Sequence, residues 1–255
     1  MAIVNVTPDS FFDGGENTTE KVILKNCEKH LLDGASILDV GGQSTRPGAE
    51  QIGAEKELFR VLPVIEAINK EFPTAIISID TYHSNVAKQS IDVGATLIND
   101  ISAGSLDDKM LQTILKLNVP YIASHIQGTP ETMQESPTYS NVVSDLYQSL
   151  SKVKTELLQN GLNDLLIDPG FGFGKTTAQN FELLGNLDHF KSMELPIVVG
   201  LSRKSIIWKT LNISPNESLN GTTSLNTIAL LKGANILRVH DVKEAIETIQ
   251  LVNQL

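Results

Sequence analysis

Short apolar runs and longer amphipathic segments alternate along the chain from its first residues to its last. The short runs have the length and flanking residues of buried strands, and the longer segments repeat apolar residues at helical spacing. The pattern predicts strands at residues 2–6, 36–40, 75–80, 96–99, 120–124, 164–168, 196–201 and 235–240. It predicts helices at residues 18–32, 55–70, 84–93, 107–117, 141–160, 178–189, 218–232 and 242–252, with a short helix beginning at 204.

Eight strand–helix units in 255 residues favour an α/β fold, a (β/α)8 TIM barrel that forms a single domain over residues 1–255. An open, doubly wound sheet is the alternative. The barrel is favoured because polar residues end every predicted strand, and helix capping explains only one or two of them. These strand-end residues are Asn5, Asp39, Asp80, Asn99, Asp100, His125, Asp168, Ser202, Arg203, Lys204, Arg238 and His240. In a barrel they converge on one face.

Composition narrows the range of functions. A net charge of −10 argues against a general binder of nucleic-acid backbones, although it is compatible with a local basic pocket for a small anion. Cys27 is the single cysteine, which excludes an internal disulfide and fits a reducing compartment. The sequence shows neither a secretory signal nor an apolar stretch of membrane-spanning length. We therefore expect a cytoplasmic protein with small-molecule substrates.

A glycine-rich segment, DPGFGFGK at residues 168–175, directly follows the sixth predicted strand. It resembles a P-loop, but Pro169 occupies the position of the first required glycine, and the G-x-G-x-x-G spacing is absent as well. We interpret the segment as a loop at the tip of a parallel strand, where α/β folds bind ligands. Asp168 then lies beside a ligand and can accept two hydrogen bonds. A purely structural turn is the alternative.

Asp80, Asn99 and Asp168 end the third, fourth and sixth predicted strands. Two buried carboxylates and an amide match the donor edge of a 2-amino-4-oxo heterocycle, and buried acids need such partners because an unpaired buried charge is costly. The three residues therefore predict a heterocycle site. Structural polar contacts at the top of the barrel are the alternative.

Two further segments suit anionic groups. Arg46 lies in a Gly/Ser/Thr/Pro-rich loop and suits capture of a carboxylate or phosphate, with a solvated arginine as the alternative. Arg238 and His240 share one side of the eighth strand, where barrel enzymes commonly bind phosphate. The histidines and acids lack short zinc-ligand spacing, so a hard cation such as Mg²⁺ would instead use Asn5 and phosphate oxygens.

The loop after the first strand, residues 5–15, is polar, contains two adjacent aromatic residues and ends in glycines. This pattern is typical of a mobile lid that brings a carboxylate and an aromatic ring over a ligand. Asp9 and Phe11 are the candidate residues, and an ordinary turn is the alternative.

Together and in order, these segments resemble the motifs of the dihydropteroate synthase family. The matching segments are residues 5–11 (NVTPDSF), 39–42 (DVGG) with 44–48 (STRPG), 80–81 (DT), 98–100 (IND), 125–128 (HIQG), 168–173 (DPGFGF), 202–205 (SRKS) and 238–240 (RVH). Each motif alone is weak, but eight motifs in register over nearly the whole chain are specific.

The resemblance implies a (β/α)8 transferase of folate biosynthesis, usually a homodimer, with Mg²⁺ as cofactor. Such an enzyme joins (7,8-dihydropterin-6-yl)methyl diphosphate to p-aminobenzoate and releases pyrophosphate. In the family the diphosphate leaves first, and the arylamine traps a cationic pterin methylene group.

Residue roles follow from the matched positions and are likewise implied by the resemblance. The pterin would be held by Asp80, Asn99, Asp168 and Lys204. The diphosphate would be held by Asn5, Arg238 and His240, with Asn5 on Mg²⁺. The p-aminobenzoate site would be shaped by Thr45, Arg46, Pro47, Phe173 and Ser202, with Asp9 and Phe11 closing over it. The residues expected to matter most for catalysis are Asp9, Thr45, Arg46, Lys204 and Arg238.

Three positions depart from the family pattern. Phe12 stands where serine is common, Gln43 where a small apolar residue is common, and Ser124 where methionine is common. None of them removes a proposed ligand, so we expect the changes at Phe12 and Ser124 to affect pocket shape or inhibitor response. Two other classes stay open, a pterin-dependent methyltransferase on the same barrel, which would have no need of Arg46, and a non-catalytic pterin-binding protein.

Overall fold

The computed structural model describes residues 1–6, 16–44, 48–49 and 51–255, with the backbone alone for residues 16–19. Several residues predicted to line the site lie outside the described residues, namely Asp9, Phe11, Phe12, Thr45, Arg46 and Pro47.

The described residues form strands and helices that alternate, except that two α-helices lie between the seventh and the eighth strand. The strands are β1 (Ala2–Asn5), β2 (Ile37–Gly41), β3 (Ile76–Asp80), β4 (Leu97–Asp100), β5 (Tyr121–Ser124), β6 (Leu165–Asp168), β7 (Val198–Val199) and β8 (Ile236–Leu237). The α-helices are α1 (Glu16–Leu32), α2 (Ala54–Glu71), α3 (Ser84–Asp92), α4 (Met110–Leu117), α5 (Val142–Gln159), α6 (Thr177–Gly185), α7 (Ser205–Leu211), α8 (Leu219–Leu231) and α9 (Val242–Val252).

The strands close into a parallel barrel. Strands β1 to β6 pair in chain order, and β7 pairs with β8. Two single bridges complete the ring, Ile167 with Ile197 and Ala2 with Val239, and Ile3 N donates to Val239 O at 3.0 Å. An open sheet would leave two unpaired edges, so the (β/α)8 prediction is confirmed and the doubly wound alternative is wrong.

Toward the carboxyl end, the inward-facing residues of β4 and β5 change from apolar to polar, and those of β7 from apolar to glycine. Leu97, Ile122 and Val198 form a small buried cluster, separate from the larger core that packs strands against helices. Side chains two residues apart on a strand share a face. Asn99, Ser124 and Gly200 therefore continue these three positions toward the carboxyl ends of the strands. The apolar cluster is the floor of a mouth whose wall is polar.

The predicted helix at residues 178–189 is wrong in its second half. Helix α6 ends at Gly185, and a 3₁₀-helix covers Leu187–Met193. The three residues Leu187, Phe190 and Met193 are fully buried at a spacing of three. A 3₁₀-helix has three residues per turn and places all three on one face, which an α-helix does not.

Strands β7 and β8 are shorter than the predicted runs 196–201 and 235–240. Their flanking residues pair with other strands, because Ile197 bridges β6 and Val239 bridges β1 where the barrel closes. Among the described residues, no helix has both the length and the apolar character needed to cross a membrane.

Candidate active site

The carboxyl ends of β2 and β3 hold two acids that share one arginine. Arg238, which follows β8, donates from Nε to Asp39 Oδ2 at 2.6 Å and from Nη2 to Asp80 Oδ2 at 2.5 Å. Asn99 Nδ2, from β4, donates to the same Asp39 oxygen at 3.1 Å. Asp39 is 0% exposed and Asp80 is 7% exposed. Closure of the barrel thus joins four side chains that are distant in sequence.

Burial and ion pairing act against each other in this cluster. Burial raises the pKa of Asp80 to about 7, and the Arg238 guanidinium opposes the rise. Burial also disfavours the charged form of Arg238, but Asp39 and Asp80 raise its pKa above the ordinary value. No donor among the described residues reaches Asp39 Oδ1 or Asp80 Oδ1, although both atoms are buried. Each acid therefore retains an acceptor that suits an N–H group of a ligand.

The last residue of β6 is a third acid, Asp168, which lies beside a lysine, Lys204. Asp168 Oδ1 accepts a hydrogen bond from Gly170 N at 2.7 Å. Lys204 Nζ donates to Phe171 O at 2.5 Å and lies 4.4 Å from the centroid of the Phe173 ring. Burial raises the pKa of Asp168, which Lys204 opposes, and burial lowers the pKa of Lys204 to about 8, which Asp168 opposes. The two groups favour each other's charged forms in a poorly solvated pocket.

Ser202 and His240 meet at the ends of β7 and β8. Ser202 Oγ lies 3.0 Å from His240 Nδ1 and accepts a hydrogen bond from His240 N at 3.2 Å. Arg203, the residue after Ser202, has a left-handed backbone with φ of 56°. Its side chain forms a two-point ion pair with Asp241. Arg203 is therefore held by the chain after β8, while Ser202 and Lys204 on either side of it contact His240 and the loop after β6.

Comparison with known proteins shows the family. The family model described as pterin binding enzyme matches residues 1–240. Dihydropteroate synthase of Escherichia coli strain K12 is 43% identical over 99% of this chain and 89% of its own length. The chain belongs to the dihydropteroate synthase family. The predicted family is thereby confirmed.

Solved structures of dihydropteroate synthases agree with this membership. The enzyme of Yersinia pestis in complex with a sulfonamide drug is 40% identical, with a TM-score of 0.91 over 99% of this chain and 92% of that chain. The enzyme of Xanthomonas albilineans in complex with 7,8-dihydropteroate is 33% identical, with a TM-score of 0.87 over 99% and 91%. Both solved structures therefore share the barrel fold of this chain; one contains a drug and the other a pteroate.

The structure brings most described candidates of the dihydropteroate synthase pattern to one mouth. Asp80, Asn99 and Arg238 belong to one hydrogen-bonded cluster through Asp39. The described candidates outside this cluster are Asp168 at the end of β6, Lys204 over the Phe173 ring, Ser202 on His240, and Asn5 at the exposed end of β1. The assigned roles of these residues stay predictions.

Sequence reasoning gave no ligand-binding or positioning role to two residues of the site. Asp39 ends an apolar run and was recognised as a strand-end acid, but its link to Arg238 spans 199 residues and has no local signal. Lys175 ends the glycine-rich segment and is 2% exposed, although a lysine there suggests a solvent-facing residue. The signal that could have identified it is a lysine next to three alternating glycines at a strand tip.

Two of the three residues that depart from the family pattern, Gln43 and Ser124, lie in the described part of the chain. Gln43 is buried; its Nε2 donates to the Tyr82 hydroxyl, and its Oε1 accepts from Ile52 N at 3.3 Å. Ser124 is 2% exposed and pairs across the sheet with Asp168. Gln43 therefore joins β2 to the segments before α2 and α3, and Ser124 gives the wall beside Asp168 a smaller side chain than methionine.

Proposed function

We propose that this protein condenses (7,8-dihydropterin-6-yl)methyl diphosphate with p-aminobenzoate to give 7,8-dihydropteroate and pyrophosphate. The observation that carries the proposal is the convergence of the Asp39–Arg238–Asp80 cluster and the Asp168–Lys204 pair on one barrel mouth, in a chain of the dihydropteroate synthase family. The Xanthomonas albilineans relative, whose structure contains 7,8-dihydropteroate, has the same fold over 99% of this chain.

In this proposal the pterin lies between the two acidic groups. Asp80, Asn99 and Asp168 face the amino and ring N–H groups, and Lys204 binds the ring's acceptor atoms. The free acceptor oxygen of Asp80 supports this arrangement, because a buried carboxylate oxygen gains most from a donor that arrives with the ligand. As the diphosphate leaves, the carboxylates stabilise the positive charge that develops on the pterin methylene group.

The diphosphate is assigned to Arg238, His240 and Asn5, with Mg²⁺ on Asn5. Asn5 lies at the exposed end of β1, level with Gly41 on β2, and offers the oxygen donor that a hard cation prefers. Among the described residues no group of three His, Cys, Asp or Glu side chains forms a metal site. Substrate oxygens would therefore supply much of the coordination. When bound, Mg²⁺ would offset the negative charge of the leaving group.

The arylamine site is assigned to the loop after β2 together with two described residues of the mouth. Its residues are Thr45, Arg46, Pro47, Phe173 and Ser202, with Asp9 and Phe11 closing over the ligand. Arg46 would pair with the carboxylate of p-aminobenzoate, for which a guanidinium offers two parallel donors. Closure would exclude water, which competes with the amine for the pterin cation.

We also propose that the protein is a homodimer formed through α7, α8 and α9. Apolar side chains on these helices are exposed, namely Leu211, Ile228, Leu231 and Leu251. Burial of such a patch between two copies would be favourable, because each apolar side chain removed from water contributes to association. Sedimentation at micromolar concentration should give about twice the 27.7 kDa chain mass; a single-chain mass would contradict this proposal.

The activity is tested by incubating the purified protein with both substrates and Mg²⁺ and identifying the product by mass spectrometry. We expect dihydropteroate from the wild-type protein and from Asp188→Asn, a change of an exposed side chain on the 3₁₀-helix. Asp168→Asn should lose most of this activity. Pterin binding without product from the wild-type protein would favour a methyltransferase or a binding protein and would overturn the proposal.

A further inference from the structure

In the loop after β6, each carbonyl of residues 170–174 accepts a hydrogen bond from a side chain. We call residues 170–174 the glycine loop. Its carbonyl groups accept from Lys175 at Gly170, Lys204 at Phe171, Gln134 at Gly172, Lys175 at Phe173 and Tyr139 at Gly174. Lys175 thus makes two of the five contacts, and they lie on either side of the carbonyl that Lys204 holds.

Lys175 lies inside the loop and not at its surface. Its Nζ donates to Gly170 O at 2.8 Å and to Phe173 O at 3.0 Å, and it lies 3.3 Å from both the carbonyl oxygen and Nδ1 of His125. It is 2% exposed, and these partners are loop carbonyl groups and the ring of His125. An ammonium group has three donors, so it suits a point where several carbonyl oxygens converge.

The packing around this ammonium group is tight. A Cβ added at Gly170 would lie 1.9 Å from His125 O, and one added at Gly174 would lie 2.6 Å from Gln127 O. Both glycines have left-handed backbones, with φ of 73° and 65°. The glycine loop is therefore pressed against the segment after β5, and the Lys175 ammonium group links the two through Gly170 O and His125 O.

The same loop sets the position of Lys204. The ammonium group of Lys204 is held by Phe171 O and by the face of the Phe173 ring, and a Cβ on Gly172 would lie 3.3 Å from its Cδ. A shift of the glycine loop would therefore move Lys204 relative to Asp168.

We propose that Lys175 is a positioning residue for the pterin site, because its ammonium group holds the glycine loop in the form that fixes Lys204. This inference rests on the proposed function, in which Lys204 binds the pterin. Burial lowers the pKa of Lys175 to about 7, while the Asp168 carboxylate opposes the change. The same carboxylate thus supports the charge of both lysines.

The test compares Lys175→Met with Lys154→Met. Lys154 also donates to a backbone carbonyl, Met193 O at 2.6 Å, but lies on α5 outside the mouth. Calorimetry with dihydropterin diphosphate should show binding weakened about tenfold or more for Lys175→Met, because a lost charge-assisted hydrogen bond has an effect of that size. Its KM for p-aminobenzoate at saturating pterin should rise by a smaller factor than the pterin affinity falls, because Phe173 is the one residue of the proposed arylamine site on the glycine loop. Lys154→Met should match the wild type.

Hydrogen exchange gives a second measurement. Lys175→Gln keeps two donors, so it serves if the methionine variant does not fold. In either folded variant, amide exchange should accelerate at residues 170–174 and not in α5.

Pterin affinity within twofold of wild type in a folded variant would overturn the inference, as would equal losses toward both substrates. A wild-type protein that binds no pterin diphosphate would instead refute the proposed function.

Discussion

Replacement of Arg238 by methionine should destabilise the fold as well as the site. The guanidinium pairs with Asp39 at 2.6 Å and with Asp80 at 2.5 Å, and the three side chains are 16%, 0% and 7% exposed. Removing one partner of a buried ion pair leaves an uncompensated charge and typically costs about 3–5 kcal/mol. We expect a loss in that range for Arg238→Met at pH 8.5.

The loss should depend on pH. Without Arg238 the pKa of Asp80, already about 7, should rise further, because burial would no longer be opposed by the guanidinium. A carboxyl group with a raised pKa in the folded state contributes stability at low pH, and this contribution is lost as the pH rises through that pKa. Urea unfolding followed by circular dichroism should therefore give a smaller deficit at pH 5.5 than at pH 8.5.

Arg203→Met is the matched control. Arg203 also makes a two-point ion pair, with Asp241, but it is 34% exposed and its partner 16% exposed. Pairs near the surface contribute about 0–1 kcal/mol, so this variant should lose little at either pH. Adding Asp80→Asn to Arg238→Met should restore part of the loss. Equal losses for the two arginine variants, or a deficit that does not vary with pH, would refute the reasoning.

Three other substitutions test separate parts of the account. Lys204→Met should weaken pterin diphosphate binding about tenfold or more in calorimetry; unchanged affinity would remove Lys204 from the pterin site. Arg46→Ala should chiefly raise the KM for p-aminobenzoate in steady-state kinetics, and a selective loss of pterin binding would contradict that role. Burial raises the pKa of Glu57 to about 8. The protonated side chain therefore contributes stability at low pH, and this contribution is lost as the pH rises from about 4.5 to 8. Relative to wild type, Glu57→Gln should therefore gain about 4 kcal/mol in urea unfolding between pH 5 and pH 9, and an equal gain from the exposed Glu55→Gln would exclude this cause.

The alternation of strands and helices was predictable because each pattern has its own local period. Ile77 and Ile79 on β3, for example, are fully buried on the side that faces the helices, while Asp80 ends the strand at the mouth. The same local logic failed after Gly185. There the helix changes from 3.6 to three residues per turn. The spacing of apolar residues over so short a segment does not distinguish a 3₁₀-helix from the last turns of an α-helix.

The candidate site was predictable as a set of residues but not as a set of contacts. Strand-end polarity and the family motifs identified Asp80, Asp168 and Arg238. That Arg238 joins Asp39 to Asp80 follows from closure of the barrel, which brings β8 beside β1 and across from β3. The role of Lys175 was not predictable for a related reason. Its partners are backbone carbonyl groups of a folded loop, and the residue types of the loop do not indicate which carbonyl groups converge.

The most direct test of the central claim is the stoichiometry of pyrophosphate and dihydropteroate, measured with Mg²⁺ and dihydropterin diphosphate in the presence and absence of p-aminobenzoate. The account predicts equal amounts of the two products when the arylamine is present, and dihydropteroate formation that depends on both substrates. Pyrophosphate release without dihydropteroate in the presence of p-aminobenzoate, or pterin binding with no release at all, would contradict it.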